Sequence, residues 1–497
     1  MDSFRHHRRS NRRSLLGAGV ILLLAASVFG ARGISGLEMG GTEAPQVAVA
    51  KIRTDRRVYP ELPLKALPRA GATFNDPIFG TLIMRATDEK DYPAPGCGTW
   101  YSQWPTFNSN NTRLLIRCGV SGDMKIKAFD PATFTLGPTL RTQATITNGH
   151  SLQWQGATWS RSDPDLIFVN AAYYNQDYPT VSGMKLFTYR PSSNTLSLIQ
   201  DFTSLAPGKP DYLFEMHIAQ DGKDDLFTFM QYRIGSPNNP LYFIVWKRSS
   251  DKVLQHILNS KIDANAAAPD KSGRWIWFAL NKTQSDGARH KILDLQTNTW
   301  QTIYWKASDD SPNHGDGGTG TNVGKGNFSG GFNFRSLSNP HKSSILFDFK
   351  DSNGVLDWSN DQHTSLYPDD ESWVTIGLYD ESDAHDTGAF ENEVMQIAMD
   401  GSQRIRRLFH HRSKIDNQTP TTGYWAVPKP TISKDGRFIA FTSNWGNSGR
   451  YDLFIARIDP APRLTGIAQT APSAPSSLVR QRRVTQELRS GQARKEN

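Results

Sequence analysis

Cysteine is the scarcest informative residue of this chain: its 497 residues hold only Cys97 and Cys118. Their spacing, with no Cys-x-x-Cys element, excludes a zinc knuckle and a thioredoxin-type redox site. Long apolar runs are missing as well. After the first 30 residues no stretch of 18 uncharged apolar residues occurs, so nothing beyond the N-terminus is expected to span a bilayer. No Gly-x-Ser-x-Gly elbow is present, and no further α/β segment remains to house one, which excludes an attached serine hydrolase. The body also lacks a surplus of one charge. Residues 1–34 hold six Arg and one Asp, and residues 460–497 hold seven basic and two acidic residues, so of the formal +8 about −2 is left for residues 35–459. A nucleic-acid partner loses its main support.

What the chain does have is Gly, Pro and aromatic residues in quantity, and a repeated sentence. In Ala426 to Ser443 a short apolar segment leads into the turn Lys434-Asp435-Gly436 and out through the buried-strand pattern of Phe438 to Phe441. Trp104 to Ile116 and Ala157 to Phe168 repeat it. Taking the second strand of each unit as a ruler marks Leu115, Ile167, Phe227, Ile276, Val323, Val374 and Ile439, at intervals of 47 to 65 residues. Seven such marks predict an all-β, seven-bladed antiparallel propeller over residues 80–459. Blade five, whose turn Gly317 to Asn322 has no aromatic lead-in, leaves six or eight blades open. The strand Thr81 to Thr87 precedes the first full blade and the last blade has only three strands, so the former is expected to complete the latter and close the ring.

The two ends read differently. Residues 1–31 have basic residues Arg5 to Arg13, an apolar run Leu15 to Phe29 and small residues after it, the pattern of an export signal or an uncleaved anchor. Residues 32–79 form an N-terminal extension and residues 460–497 a basic, Pro- and Ser-bearing disordered tail. Cys97 and Cys118 both fall in blade one of a chain read as exported, so a disulfide between them is expected, in a periplasmic, extracellular or N-terminally anchored monomer.

The unit Pro430 to Phe441, followed by Thr442-Ser443-Asn444-Trp445-Gly446, resembles the TolB-type, WD40-like propeller repeat. That resemblance covers the body and implies the fold; proteins of this type include interaction scaffolds, peptidase propellers and oligogalacturonate lyases. In the lyases several His ligands hold a divalent ion in the propeller channel, and His314, His363 and His410 or His411 stand at comparable places before or on inner strands.

Residues just before the inner strands of a propeller converge at one end of its channel, and histidines recur there. His150 precedes the inner strand of blade two, His217 lies on that of blade three, His314 opens that of blade five, His363 precedes that of blade six, and His410-His411 lie in the loop leading to blade seven. Imidazole suits a divalent ion, so His314, His363, His410 and His411 are the metal candidates and His150 and His217 the candidates for a catalytic base. Asp316, within the Gly-rich segment Asn313 to Gly318, and Tyr424 and Trp425, read as beginning an inner strand, are the ligand-binding candidates. For each histidine the competing reading is a neutral side chain bonded to a wall carbonyl. Two functions follow: an exported propeller that binds a glycan or a cell-envelope protein at the channel mouth, or a metal-assisted uronate lyase acting by β-elimination.

Overall fold

In blade seven the turn is built as its residue types dictate. Ser433 Oγ accepts the backbone N–H of Arg437 and of Phe438 at 3.1 and 3.0 Å and donates to Asp435 at 2.7 Å, while Gly436 takes φ +74°. The same device recurs: Asp221 Oδ1 takes the N–H of Lys223 and Asp225, and Asp270 Oδ1 that of Arg274 and Trp275. Each turn fixes the register of the strand after it, and that strand is buried on both faces, as in Phe438–Ser443.

The computed structural model describes residues 52–464 except 64, 120–121, 146–150, 173–183, 206–213, 234–239, 282–285, 305–311, 327–328, 357–360 and 381–387. Met1–Val47 separate as a unit outside these residues, and the propeller belongs to the unit Ala48–Asn497. The leader and most of the C-terminal tail therefore lie outside the described residues. Within them, seven antiparallel sheets make a seven-bladed β-propeller. The inner strands are Cys97–Gly98, Ser151–Trp159, Phe214–Gln220, Ala264–Pro269, Pro312–Gly318, Asp361–Ser365 and Thr431–Ile432. The seven rulers all fall inside the strands hydrogen-bonded next to these, from Leu115 in Arg113–Cys118 to Ile439 in Phe438–Ser443. Blade five is an ordinary member, its first two strands joined by the two-residue turn Thr319-Gly320, with Gly320 at φ +65°.

Closure is as the strand count required. Leu82–Arg85 pairs with Asp452–Arg457, and Thr73–Asn75 adds a fifth strand outside it. Buried Arg85 meets Asp452 at 2.7 Å across this seam. Upstream, the extension lies on the outer strand of blade six: Arg53 bridges Arg407, whose buried guanidinium grips Glu393 and donates to the carbonyls of Asp55 and Arg57. Cys97 and Cys118 face each other in register and are disulfide-bonded. Apolar clusters fill the seams between neighbouring blades, leaving the inner strands to line the channel. Among the described residues no helix is long and apolar enough to cross a membrane.

Candidate functional site

The inner strands of blades five and six begin side by side at the mouth of the channel. A break in register between Asn313 and Asp316 bulges the first of them, with His314 at φ +45° and Gly315 packed so closely on Val323 that a Cβ would collide with its carbonyl oxygen. The bulge turns His314 toward blade six. Its Nδ1 lies 3.2 Å from the Gln362 carbonyl oxygen and 3.4 Å from Asp361, and both acceptors call for the Nδ1–H tautomer. Burial alone would raise the Asp361 carboxyl, but the His314 hydrogen bond and charge outweigh it and hold the group well below the usual carboxylate range.

His363 is the third residue of its strand, on it rather than before it, and fully buried. Its ring centroid is 4.9 Å from His314, 4.7 Å from Tyr101 and 5.6 Å from Tyr379, yet among the described residues neither ring nitrogen has a hydrogen-bond partner. Burial, with His314 and Lys429 adding to it, keeps this imidazole neutral far below its ordinary range. A buried imidazole with both nitrogens open is costly unless something binds there.

The opposite wall comes from blades one and seven. Lys429 stands between Pro428 and Pro430 at φ +33°, a conformation that a residue preceding proline avoids unless its surroundings impose it. Its ammonium is buried, donates to the Tyr424 carbonyl, and lies 3.8 Å from the Tyr424 ring centroid and 5.4 Å from that of Trp425. No carboxylate among the described residues answers it. Burial and then Arg117 push it well below the usual lysine range. Buried Arg117 stacks at 3.3 Å on Trp425 and donates to the Tyr451 hydroxyl at 3.3 Å. The disulfide pins the strand start that precedes Trp100 and Tyr101 to the strand carrying Arg117.

Of the residues singled out from sequence, His314, His363, Tyr424 and Trp425 belong to this mouth. Tyr424 and Trp425 sit on a 3-10 turn, Tyr424–Ala426, ahead of the inner strand rather than at its start. Asp316 lies elsewhere, its carboxylate accepting the N–H of Leu366 at 2.7 Å and of Gly317 at 2.8 Å. His410 ends the outer strand of blade six, Ile405–His410, instead of lying in a loop, and its Nε2 is 2.9 Å from the Tyr59 carbonyl oxygen. His411 pairs Nε2 with the Leu378 carbonyl at 2.9 Å and accepts the Ser413 N–H at Nδ1. His150 is outside the described residues, and His217 is placed by its backbone alone, opposite Met230. Among the described residues no group of three or more His, Cys, Asp or Glu is arranged to hold a metal ion. Lys429, Arg117, Asp361 and Tyr379 were not singled out from sequence. Only the Pro-Lys-Pro setting of Lys429, a cation in an apolar lead-in, carried a signal.

No family model and no curated protein matches the chain. Solved structures do resemble it. An oligogalacturonate lyase in complex with manganese superposes with a TM-score of 0.53 at 13% identity, over 80% of this chain and 98% of that one. An oligogalacturonate lyase from Vibrio parahaemolyticus gives 0.54 at 12% identity, over 80% and 98%. At such identity the likeness shows the fold.

Proposed function

We propose that the channel mouth binds an acidic saccharide, its carboxylate seated at Lys429 and Arg117 and its ring laid on Tyr424. The observation that carries this reading is Lys429: a buried amine whose charge burial and Arg117 disfavour, with no carboxylate among the described residues answering it, in a strained backbone setting, against the ring of Tyr424, a residue 41% exposed. A ligand anion would stabilise the charged form of Lys429, and a sugar's C–H face suits the half-exposed Tyr424. The wall offers a second cation and the open nitrogens of His363 to hydroxyl groups. Calorimetry with oligogalacturonate against a neutral oligosaccharide of equal length tests it. Binding of the acidic chain alone is expected, weakened tenfold or more, on the order of the loss of a charge-assisted hydrogen bond, by Lys429→Met and less by Tyr424→Ala. Equal binding of both saccharides would end the proposal.

The second reading is β-elimination on the same ligand, favoured by the His314–His363 pair and by likeness to lyase propellers. Among the described residues no group of three or more His, Cys, Asp or Glu is arranged to hold a metal ion, so the step is derived from side chains alone. A carboxylate held by two cations acidifies the neighbouring C5 proton, and a neutral imidazole accepts it as the 4-linked sugar leaves. His150 and His217 are the candidates from sequence, and His363 joins them. Growth of the unsaturated-uronate absorbance, abolished by His363→Asn, supports elimination. Binding without that absorbance leaves the protein a receptor.

A further inference from the structure

The N-terminal extension crosses the outer rim of blades five to seven with its backbone carbonyls turned into them. The Arg407 N–H donates to the carbonyl of Arg53 at 2.8 Å, and the Arg407 guanidinium to those of Asp55 and Arg57 at 3.2 and 2.6 Å. Ser352 N–H serves Arg56 at 3.1 Å. His410 Nε2 serves Tyr59 at 2.9 Å, Arg412 serves Leu62 at 2.8 Å, and Trp445 Nε1 serves Lys65 at 2.9 Å. Counted on the Arg407, His410, Arg412 and Trp445 side, the bonded carbonyls are two residues apart up to Tyr59 and three apart after it, strand spacing passing into polyproline spacing. The sequence explains the change: Tyr59 and Leu62 precede Pro60 and Pro63, which hold both extended and remove two N–H groups.

A groove that binds carbonyls asks for an extended backbone more than for particular side chains. Val58 and Leu62 stay 40% and 43% exposed, so their side chains contribute little to the seat. Two others fix its register: Arg56 pairs with Asp348, and the Tyr59 ring lies 4.7 Å from the Arg407 guanidinium and 5.7 Å from the Phe79 ring. The donors are held by the propeller itself. Arg407 Nε donates to Glu393 at 2.7 Å, the His410 N–H to Asp76 at 3.1 Å, and Trp445 stacks on Phe454 with centroids 5.5 Å apart. None of these supports comes from residues 53–65, so the groove is formed whichever segment lies in it.

We propose that this outer groove of blades six and seven is a receptor for an extended, proline-bearing peptide segment of a partner protein, and that the chain's own extension occupies it as a guard in cis. The seated segment states the chemistry of the ligand: a run of free carbonyls, an aromatic residue before the first of two prolines three apart, and a basic residue upstream to meet Asp348. Indole and guanidinium donors beside aromatic rings are what such a segment needs, since its prolines offer acceptors and no donors. A guard tethered in cis competes at high effective concentration, so a partner enters when the guard loosens. The groove lies on the rim and is independent of the mouth and of any activity there.

Fluorescence anisotropy of a labelled peptide with the sequence of residues 52–68, titrated with the full chain, tests this. Saturable binding is expected, and about tenfold tighter to Arg56→Ala than to the parent, because that variant loosens the guard through its ion pair and leaves every groove donor in place. Trp445→Phe added to Arg56→Ala keeps the aromatic packing and removes one N–H, and should weaken the peptide about three- to tenfold, the range for one neutral hydrogen bond. Arg412→Gln in the same background is the second groove variant should the first fail to fold, with a loss at least as large expected. A peptide carrying Ala at both proline positions should bind less tightly than the parent peptide. No saturable binding to folded Arg56→Ala, an affinity unchanged in both groove variants, or dimers formed by exchange of extensions in place of peptide uptake, read by light scattering, would overturn the proposal.

Discussion

His411 shows how the protein treats a buried imidazole that has no ligand. It is neutral by construction, since Nε2–H donates to one carbonyl and Nδ1 accepts an N–H that a second ring proton would meet head-on. Burial is the main cause that holds His290, His410 and His411 down to about 3, whereas an imidazole in the unfolded chain takes its proton near 6.5. Between those values the unfolded chain binds more protons. Their stabilisation is therefore fully present above pH 6.5 and is lost as pH falls through the window. Glu393, raised by burial to about 7 despite Arg407, acts oppositely between 7 and 4.5 and offsets about one of the three. Net destabilisation on acidification is expected. Urea unfolding between pH 5 and 6 should show a slope about 1.4 kcal/mol per pH unit smaller in His411→Gln than in the parent, one proton's worth. An unchanged slope would mean that His411 is protonated in the folded state. His363 differs from these in having no bond at either nitrogen among the described residues, which is why it is read as a ligand contact and not as wall.

At the scale of elements, the blades were legible because their signals are local. Asp221, Asp270 and Ser433 announce turns whose bonds close within five residues, and the second strands of blades three, four and seven follow such turns while that of blade five follows a two-residue one. Blade five was the weakest from sequence for the same reason: Thr319-Gly320 is too short to leave a compositional trace. The mouth was half legible. His314 and His363 could be found from their place before or on inner strands, but Lys429 and Arg117 become partners only when the ring closes blade seven onto blade one, a contact with no local signature. His410 and His411 misled because the outer strand of blade six runs further than its composition suggests, and takes His410 into the seam with the extension. The disulfide belongs to this scale too. It staples the two-residue inner strand of blade one to its neighbour, closing a loop of 21 residues, so Cys97→Ala with Cys118→Ala should cost about 3 kcal/mol in urea unfolding. Because the staple anchors the lead to Tyr101, ligand affinity at the mouth should fall along with stability. A double variant as stable as the parent would show that blade one is held by packing alone.

The propeller is a ring whose two channel ends differ in chemistry. The mouth holds Lys429, which no carboxylate among the described residues answers, the buried His363 and Tyr424; the floor holds the pairs Lys271–Glu371 and Arg161–Asp369. Sheet closure by Leu82–Arg85 ties blade seven shut, and the bridge from Arg53 to Arg407 lays the extension on the outer strand of blade six. The claim that rests most weight on this asymmetry is the seat for a carboxylate at Lys429. Diffraction from crystals grown with a uronate oligosaccharide tests it most directly. Saccharide is expected at the mouth, with a carboxylate oxygen about 2.7–2.9 Å from Lys429 Nζ and a ring stacked on Tyr424. A saccharide bound on an outer face, or a carboxylate turned to solvent away from Lys429 and Arg117, would contradict it.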